Sequence, residues 1–163
     1  MKFSETEQTA QNYIVWLLAR REYSKKEILD KLVNRFPDDN FVHVADFCEK
    51  EGWISDKRFC ECYIRDKSLL SGWGKRKIQF QIAQKGISEE LFQSVFDNII
   101  TEQEIFECAK KLGIDKWKVL QVRAKRKSWN FWDTKQKLFL FLGSRGYDTT
   151  LIQKIVSMVC IEE

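Results

Sequence analysis

The chain has 163 residues, a formal net charge of +4, one Pro and seven Gly. That length suits one compact domain or a short array of small units, and so few breaks exclude a β-rich fold with many turns, leaving an all-α chain as the expectation. The opening Met1-Lys2-Phe3-Ser4-Glu5-Thr6-Glu7-Gln8 lacks the apolar core of a signal peptide, and no run has the length needed to cross a bilayer, so a cytoplasmic protein with no membrane contact is expected.

Cys48, Cys60, Cys62, Cys108 and Cys160 form an odd set without a C-x-x-C pair, and His43 is the sole histidine. Cys60 and Cys62 are two apart, which on a helix points them to nearly opposite sides. Neither a zinc site nor a disulfide framework is indicated, and the five read as reduced and mostly structural. Charge is unevenly spread: from Lys110 to Arg145 eleven Lys or Arg face only Asp115 and Asp133, a local +9 that leaves −5 for the remainder. Such asymmetry suits a polyanionic partner or an acidic groove on a protein.

The first predicted helix runs from about Glu5 to Arg21, with Ala10, Tyr13, Ile14, Leu17 and Leu18 as its apolar stripe. Ser24 and Glu27 then form a capping box, with Tyr23 placed to staple onto Ile28, and a second helix extends to about Phe36. Pro37-Asp38-Asp39-Asn40 is a stop and a new cap; Val44, Phe47 and Cys48 line a third helix ending at Gly52. Ser55 caps a fourth helix, whose core positions are Phe59, Tyr63, Ile64 and Leu70. After Ser71-Gly72-Trp73-Gly74, with Gly74 as a cap that tolerates non-helical dihedrals, a fifth helix carries Ile78 and Ile82 and stops at Lys85-Gly86. Ser88 caps a sixth helix bearing Leu91, Phe92, Val95 and Ile99.

Thr101-Glu102-Gln103-Glu104 is another capping box, opening a stripe of Ile105, Phe106, Ala109 and Leu112 that Gly113 interrupts. Trp117 to Lys127 is then either a separate helix or a continuation. The pattern returns with Leu138, Phe141 and Leu142, then Arg145-Gly146-Tyr147-Asp148 and a last helix with Leu151, Ile152 and Ile155.

An offset of sixty superposes Ile78 on Leu138, Ile82 on Leu142, Lys85 on Arg145, Gly86 on Gly146, Leu91 on Leu151 and Val95 on Ile155. An offset of fifty places Lys25 on Lys75, Ile28 on Ile78 and Leu32 on Ile82. Three tandem three-helix repeats are therefore expected, at 1–53, 54–100 and 101–163, stacked into an elongated, curved body because each is too small to bury its apolar face alone.

Four ordered motifs carry a resemblance to the RecX family: Glu51-Gly52-Trp53-Ile54-Ser55-Asp56-Lys57-Arg58-Phe59, Gly72-Trp73-Gly74-Lys75-Arg76-Lys77-Ile78, Gln84-Lys85-Gly86-Ile87-Ser88, and Lys135-Gln136-Lys137-Leu138 with Phe141-Leu142 and Arg145-Gly146-Tyr147. The resemblance implies a bacterial protein of three tandem three-helix repeats, without enzymatic activity or cofactor. Its implied partner is the RecA recombinase filament on single-stranded DNA, in whose groove it would lodge, inhibiting ATP hydrolysis, strand exchange and co-protease function. Segment 113–132 follows none of the quoted motifs.

Arg58, Lys75, Arg76, Lys77 and Lys85, on or beside the motifs, are candidate contacts to filament or DNA, with Lys135 and Arg145 in the fourth motif. Arg58 can instead pair with an acid of its own repeat. Lys125-Arg126-Lys127 resembles a phosphate-binding cluster, followed at once by Trp129, Phe131 and Trp132; core packing is the expectation for at least two of those three rings. Trp73, between two glycines, reads as a wedge between helices. No phosphate-binding glycine loop, metal spacing or nucleophile near His43 supports an enzyme. The alternative to a filament regulator is a direct DNA-binding module of helix-turn-helix type. Nothing in the chain proposes a self-complementary face, so a monomer is expected.

Overall fold

A computed structural model describes residues 3–160. Among them are nine α-helices and no strand: α1 Glu5–Leu18, α2 Lys25–Arg35, α3 Val42–Lys50, α4 Asp56–Arg65, α5 Lys75–Ala83, α6 Glu89–Ile99, α7 Glu102–Lys127, α8 Phe131–Ser144 and α9 Thr149–Val159. The capping boxes at Ser4/Glu7, Ser24/Glu27 and Thr101/Glu104 are all closed, each satisfying two backbone donors that a helix start leaves open.

Two compact units emerge: residues 1–63 with 82–95, and residues 64–81 with 96–163. In the first, α3 packs on α1 and α2, burying Ala10, Ile14, Leu17, Ile28, Leu32, Val44 and Cys48. In the second, α7, α8 and α9 pack on one another around Ala109, Trp117, Leu120, Leu138, Leu142, Ile152 and Ile155. Each aliphatic side chain buried in this way is worth roughly 1.5–3 kcal/mol.

Several predicted boundaries are corrected. α1 ends at Leu18 rather than Arg21, the N–H of Arg20 tightening onto the Leu17 carbonyl at 3.0 Å while its guanidinium lies 3.5 Å over the Trp16 ring. α3 starts at Val42 with Phe41 as its cap residue; Asn40 still helps, its side chain accepting from the Val42 N–H at 3.1 Å. α4 does not continue regularly to Leu70. Its last turn, Asp66–Leu70, widens into a π-helix, and the added residue per turn rotates the following side chains. Leu70, expected in the core, is 83% exposed. Leu70→Ser should therefore change the unfolding free energy by less than about 0.5 kcal/mol; a large loss on urea unfolding would contradict this placement.

Trp117 to Lys127 continues the helix that Thr101 opens, so that α7 runs unbroken through Gly113 and ends before the turn at Ser128. A Cβ on Gly113 would sit 2.8 Å from Ile155 Cγ2, so this buried glycine lets α9 approach α7. The five cysteines are all free thiols. Burial pushes Cys60 up to about 12 and Cys48 and Cys160 up to about 11, so these three remain protonated at neutral pH.

The offset of sixty recurs in the helices themselves, since Glu89–Ile99 and Thr149–Val159 start and end sixty residues apart. Gly86 and Gly146 both adopt left-handed dihedrals, φ +85° and +88°. Each receives the start of another helix. In the first unit the Ser24 hydroxyl, at the α2 cap, donates to the Lys85 carbonyl at 2.7 Å, and a Cβ on Gly86 would meet Lys26 at 2.8 Å. In the second, the Gly74 N–H, at the start of α5, donates to the Arg145 carbonyl at 2.8 Å, and a Cβ on Gly146 would meet the Lys77 backbone nitrogen at 2.4 Å. Ser24 and Gly74 are fifty apart, as the shorter repeat offset requires. The same joint is thus built twice. Gly74 is needed for close approach more than for cap dihedrals, because its own Cβ would lie 2.4 Å from the Gly146 backbone.

Candidate interaction surface

The ten basic candidates divide by what their side chains already hold. Arg58 and Lys85 lie in the first unit and the other eight in the second.

Arg58 is committed to the turn before α4: its guanidinium donates to the carbonyls of Gly52 at 2.9 Å and Trp53 at 2.7 Å, and to Glu22 Oε1 at 3.0 Å. Its acid is therefore Glu22, which precedes residue 54 and lies outside the repeat assigned to Arg58. Lys85 donates to Glu27 Oε1 at 2.7 Å, and Arg21 reaches the same carboxylate at 3.2 Å. Burial raises the Glu27 pKa, but the hydrogen bonds from Lys85 and Arg21 outweigh it and hold the carboxyl below its ordinary value. Arg145 is the C-cap residue of α8, and its guanidinium donates to the Ser71 carbonyl at 3.3 Å. Lys75 pairs with Asp97 at 2.9 Å and lies 4.7 Å over Phe96. These four cations fasten loops and helix ends.

Lys77 and Lys135 are placed over rings. Lys77 Nζ is 4.7 Å from the Trp73 ring centre, and Lys67 lies over the same ring at 4.9 Å. Trp73 is half-buried, its indole covered by ammonium groups as well as by the fold. Lys135 is 5.1 Å over Trp132. Arg76, Lys125, Arg126 and Lys127 are exposed and have no ion pair or side-chain hydrogen bond among the described residues.

A repeated feature escaped the residue-by-residue reading. Lys137, sixty residues beyond Lys77, lies 4.3 Å over Trp129 as Lys77 lies over Trp73. One turn further, Phe80 and Leu140 occupy equivalent positions and are 64% and 62% exposed. The core offset of sixty was the signal that could have found them, carried three residues past Lys77 on the outer face. α2 lacks the feature, having Glu27 and Asp30 at the positions fifty before Lys77 and Phe80. Of the three rings after Lys127, Trp129 and Phe131 pack against the second-unit core, as expected for two of them, whereas Trp132 is 70% exposed.

His43 is spoken for by Glu7, 2.6 Å away. Among the described residues no group of three His, Cys, Asp or Glu side chains could hold a metal ion, and no helix is long and apolar enough to cross a membrane.

Short capped helices and a joint made twice with the same glycine geometry define an all-helical repeat protein. The sequence model described as the second three-helix domain of RecX matches residues 55–95. Regulatory protein RecX of Haemophilus ducreyi is 31% identical over 140 residues, 85% of each chain. The protein of the same name from Clostridium perfringens strain 13 is 34% identical over 134 residues, 82% of this chain but only 60% of that longer relative. The crystal structure of RecX from Lactobacillus salivarius superposes with a TM-score of 0.77 at 19% identity, covering 96% of this chain and 98% of that one. The chain belongs to the RecX family, whose relatives here carry the name of regulatory proteins.

Proposed function

We propose that the chain is a cytoplasmic, monomeric negative regulator of the RecA recombinase, which binds in the groove of RecA filaments on single-stranded DNA and inhibits ATP hydrolysis, strand exchange and co-protease activity. It acts without catalysis or cofactor. The observation that carries this reading is membership of the RecX family along most of the chain. The division into repeats at 1–53, 54–100 and 101–163 is part of the proposal. It is supported by the two joints, each linking the second helix of one repeat to the end of the second helix of the next.

A groove lined by phosphates and acidic loops rewards cations that are not already paired. Arg76, Lys125, Arg126 and Lys127 meet that condition, and Lys77 and Lys135 meet it in part. Arg58, Lys75, Lys85 and Arg145 act by holding the surface in shape. The test is a binding comparison using the full chain: fluorescently labelled protein is titrated with preformed RecA filaments and, separately, with single-stranded DNA. Tighter binding to filaments is expected. Equal affinity for both, with a sequence preference on duplex DNA, would replace this reading with the helix-turn-helix alternative.

A further inference from the structure

The end of α7 has more positive charge than its helix needs. Residues 116–137 contain eight Lys or Arg and one acid, Asp133. One or two cations suffice to complement the carbonyl end of a helix dipole. At Ser128 the backbone turns left-handed, φ +53°, and Asn130 restarts the chain as the cap of α8. The elbow leaves an open cleft of about 770 Å³ between the last turns of α7 and the start of α8, walled by Lys118, Gln121, Val122, Lys125, Trp129 and Phe131. Four of these residues, Lys118, Gln121, Val122 and Lys125, fall at i, i+3, i+4 and i+7, so a single stripe of α7 forms one wall with an ammonium group near each end.

Trp129 is the ridge of this cleft. Its other side bounds a shallower recess of about 280 Å³ with Gln136, Lys137 and Leu140. Phe131 meets the exposed Trp132 edge-on at 6.0 Å. Trp129 packs on the second-unit core with Lys137 over its ring, so the aromatic surface open at the elbow is that of Trp132, 70% exposed at the start of α8.

We infer that the α7–α8 elbow is a binding site for single-stranded nucleic acid: a base stacks on the exposed Trp132 at the start of α8, and phosphates lie along Lys118 and Lys125 at the end of α7. Aromatic platforms within a basic groove are what a flexible single strand can use, since its bases are free to leave one another. A duplex keeps its bases stacked inside and would meet only the charge. An acidic peptide would meet the charge but has no flat face for the indole. The site deepens the proposed regulatory role by naming the part of the chain that meets the DNA within a filament, yet it needs no recombinase, so the test uses nucleic acid alone.

The experiment measures anisotropy of a short fluorescent oligothymidine, with an oligouridine to separate DNA from RNA preference, as the full chain is added at several salt concentrations. Trp132→Ala, a change at an exposed position, is expected to weaken binding roughly tenfold or more. Lys118→Gln with Lys125→Gln should flatten the dependence of log K on log salt by about 1.4, at about 0.7 per phosphate contact on a single strand. Circular dichroism and the unfolding midpoint establish that each variant is folded. The inference is overturned by any of three results: no binding at low salt, binding that Trp132→Ala leaves unchanged, or equal competition by duplex DNA or polyglutamate. Filament regulation could survive each of them, so the two readings fail separately.

Discussion

Gly146→Ala is expected to lower the unfolding midpoint far more than Gly52→Ala, although the two glycines have similar left-handed dihedrals, φ +88° and +76°. A non-glycine residue in that region costs about 1–3 kcal/mol. At Gly52 nothing lies within 4 Å of the added Cβ, so the dihedral cost stands alone. At Gly146 the methyl would also lie 2.4 Å from the Lys77 backbone nitrogen and 2.5 Å from its Cβ, and α5 would have to withdraw. The Gly74 N–H, which donates to Arg145 at 2.8 Å, and the Arg76 N–H, which donates to Gly146 at 3.2 Å, would be pulled away with it. For a chain of this size each kcal/mol lowers the midpoint by about 2–4 °C. Thermal unfolding of the two variants decides the matter, and equal shifts would mean that the α5–α8 joint does not hold the backbones this close.

The second large effect separates cations that hold the protein together from those free to meet a partner. Lys85→Met keeps most of the apolar stem but removes the ammonium group from Glu27, whose side chain is only 15% exposed and would retain Arg21 and the Ser24 N–H. A loss on the order of 1–2 kcal/mol is expected, since a largely buried carboxylate then loses one of its two charged donors. Arg58→Met should behave similarly, leaving the carbonyls of Gly52 and Trp53 without their donor. Arg76→Met should stay within about 0.5 kcal/mol of the parent while weakening attachment to RecA filaments. Urea unfolding paired with filament binding gives both readouts. If Lys85→Met were fully stable but defective in binding, the division would be reversed.

Much of the local structure was legible because it is written in short-range chemistry. Ser24 with Glu27 and Thr101 with Glu104 announce helix starts through side chains that bond their own backbone, and the offset of sixty carried the register of α6 onto α9 without error. What could not be read depends on residues remote in sequence. Nothing near Gly113 says that Ile155 will press against it. The π-turn that exposes Leu70 leaves the apolar pattern of α4 unchanged. The candidate surface suffered most from this. Arg58 and Lys85 stand in motifs as plainly basic as Arg76, and only the fold brings Glu22 and Glu27 against them, thirty-six and fifty-eight residues away in the chain. The exposed Phe80 and Leu140 lay within the repeat arithmetic, but on the outer face, where apolar residues are not sought.

Regulation of RecA filaments should be read out in the rate of ATP hydrolysis by filaments preformed on single-stranded DNA. Added at less than one molecule per RecA, the full chain should suppress hydrolysis, and the variant combining Arg76→Met with Lys125→Gln, Arg126→Gln and Lys127→Gln should require a higher concentration for the same suppression. An unchanged rate at saturating protein would mean that the chain does not regulate RecA filaments.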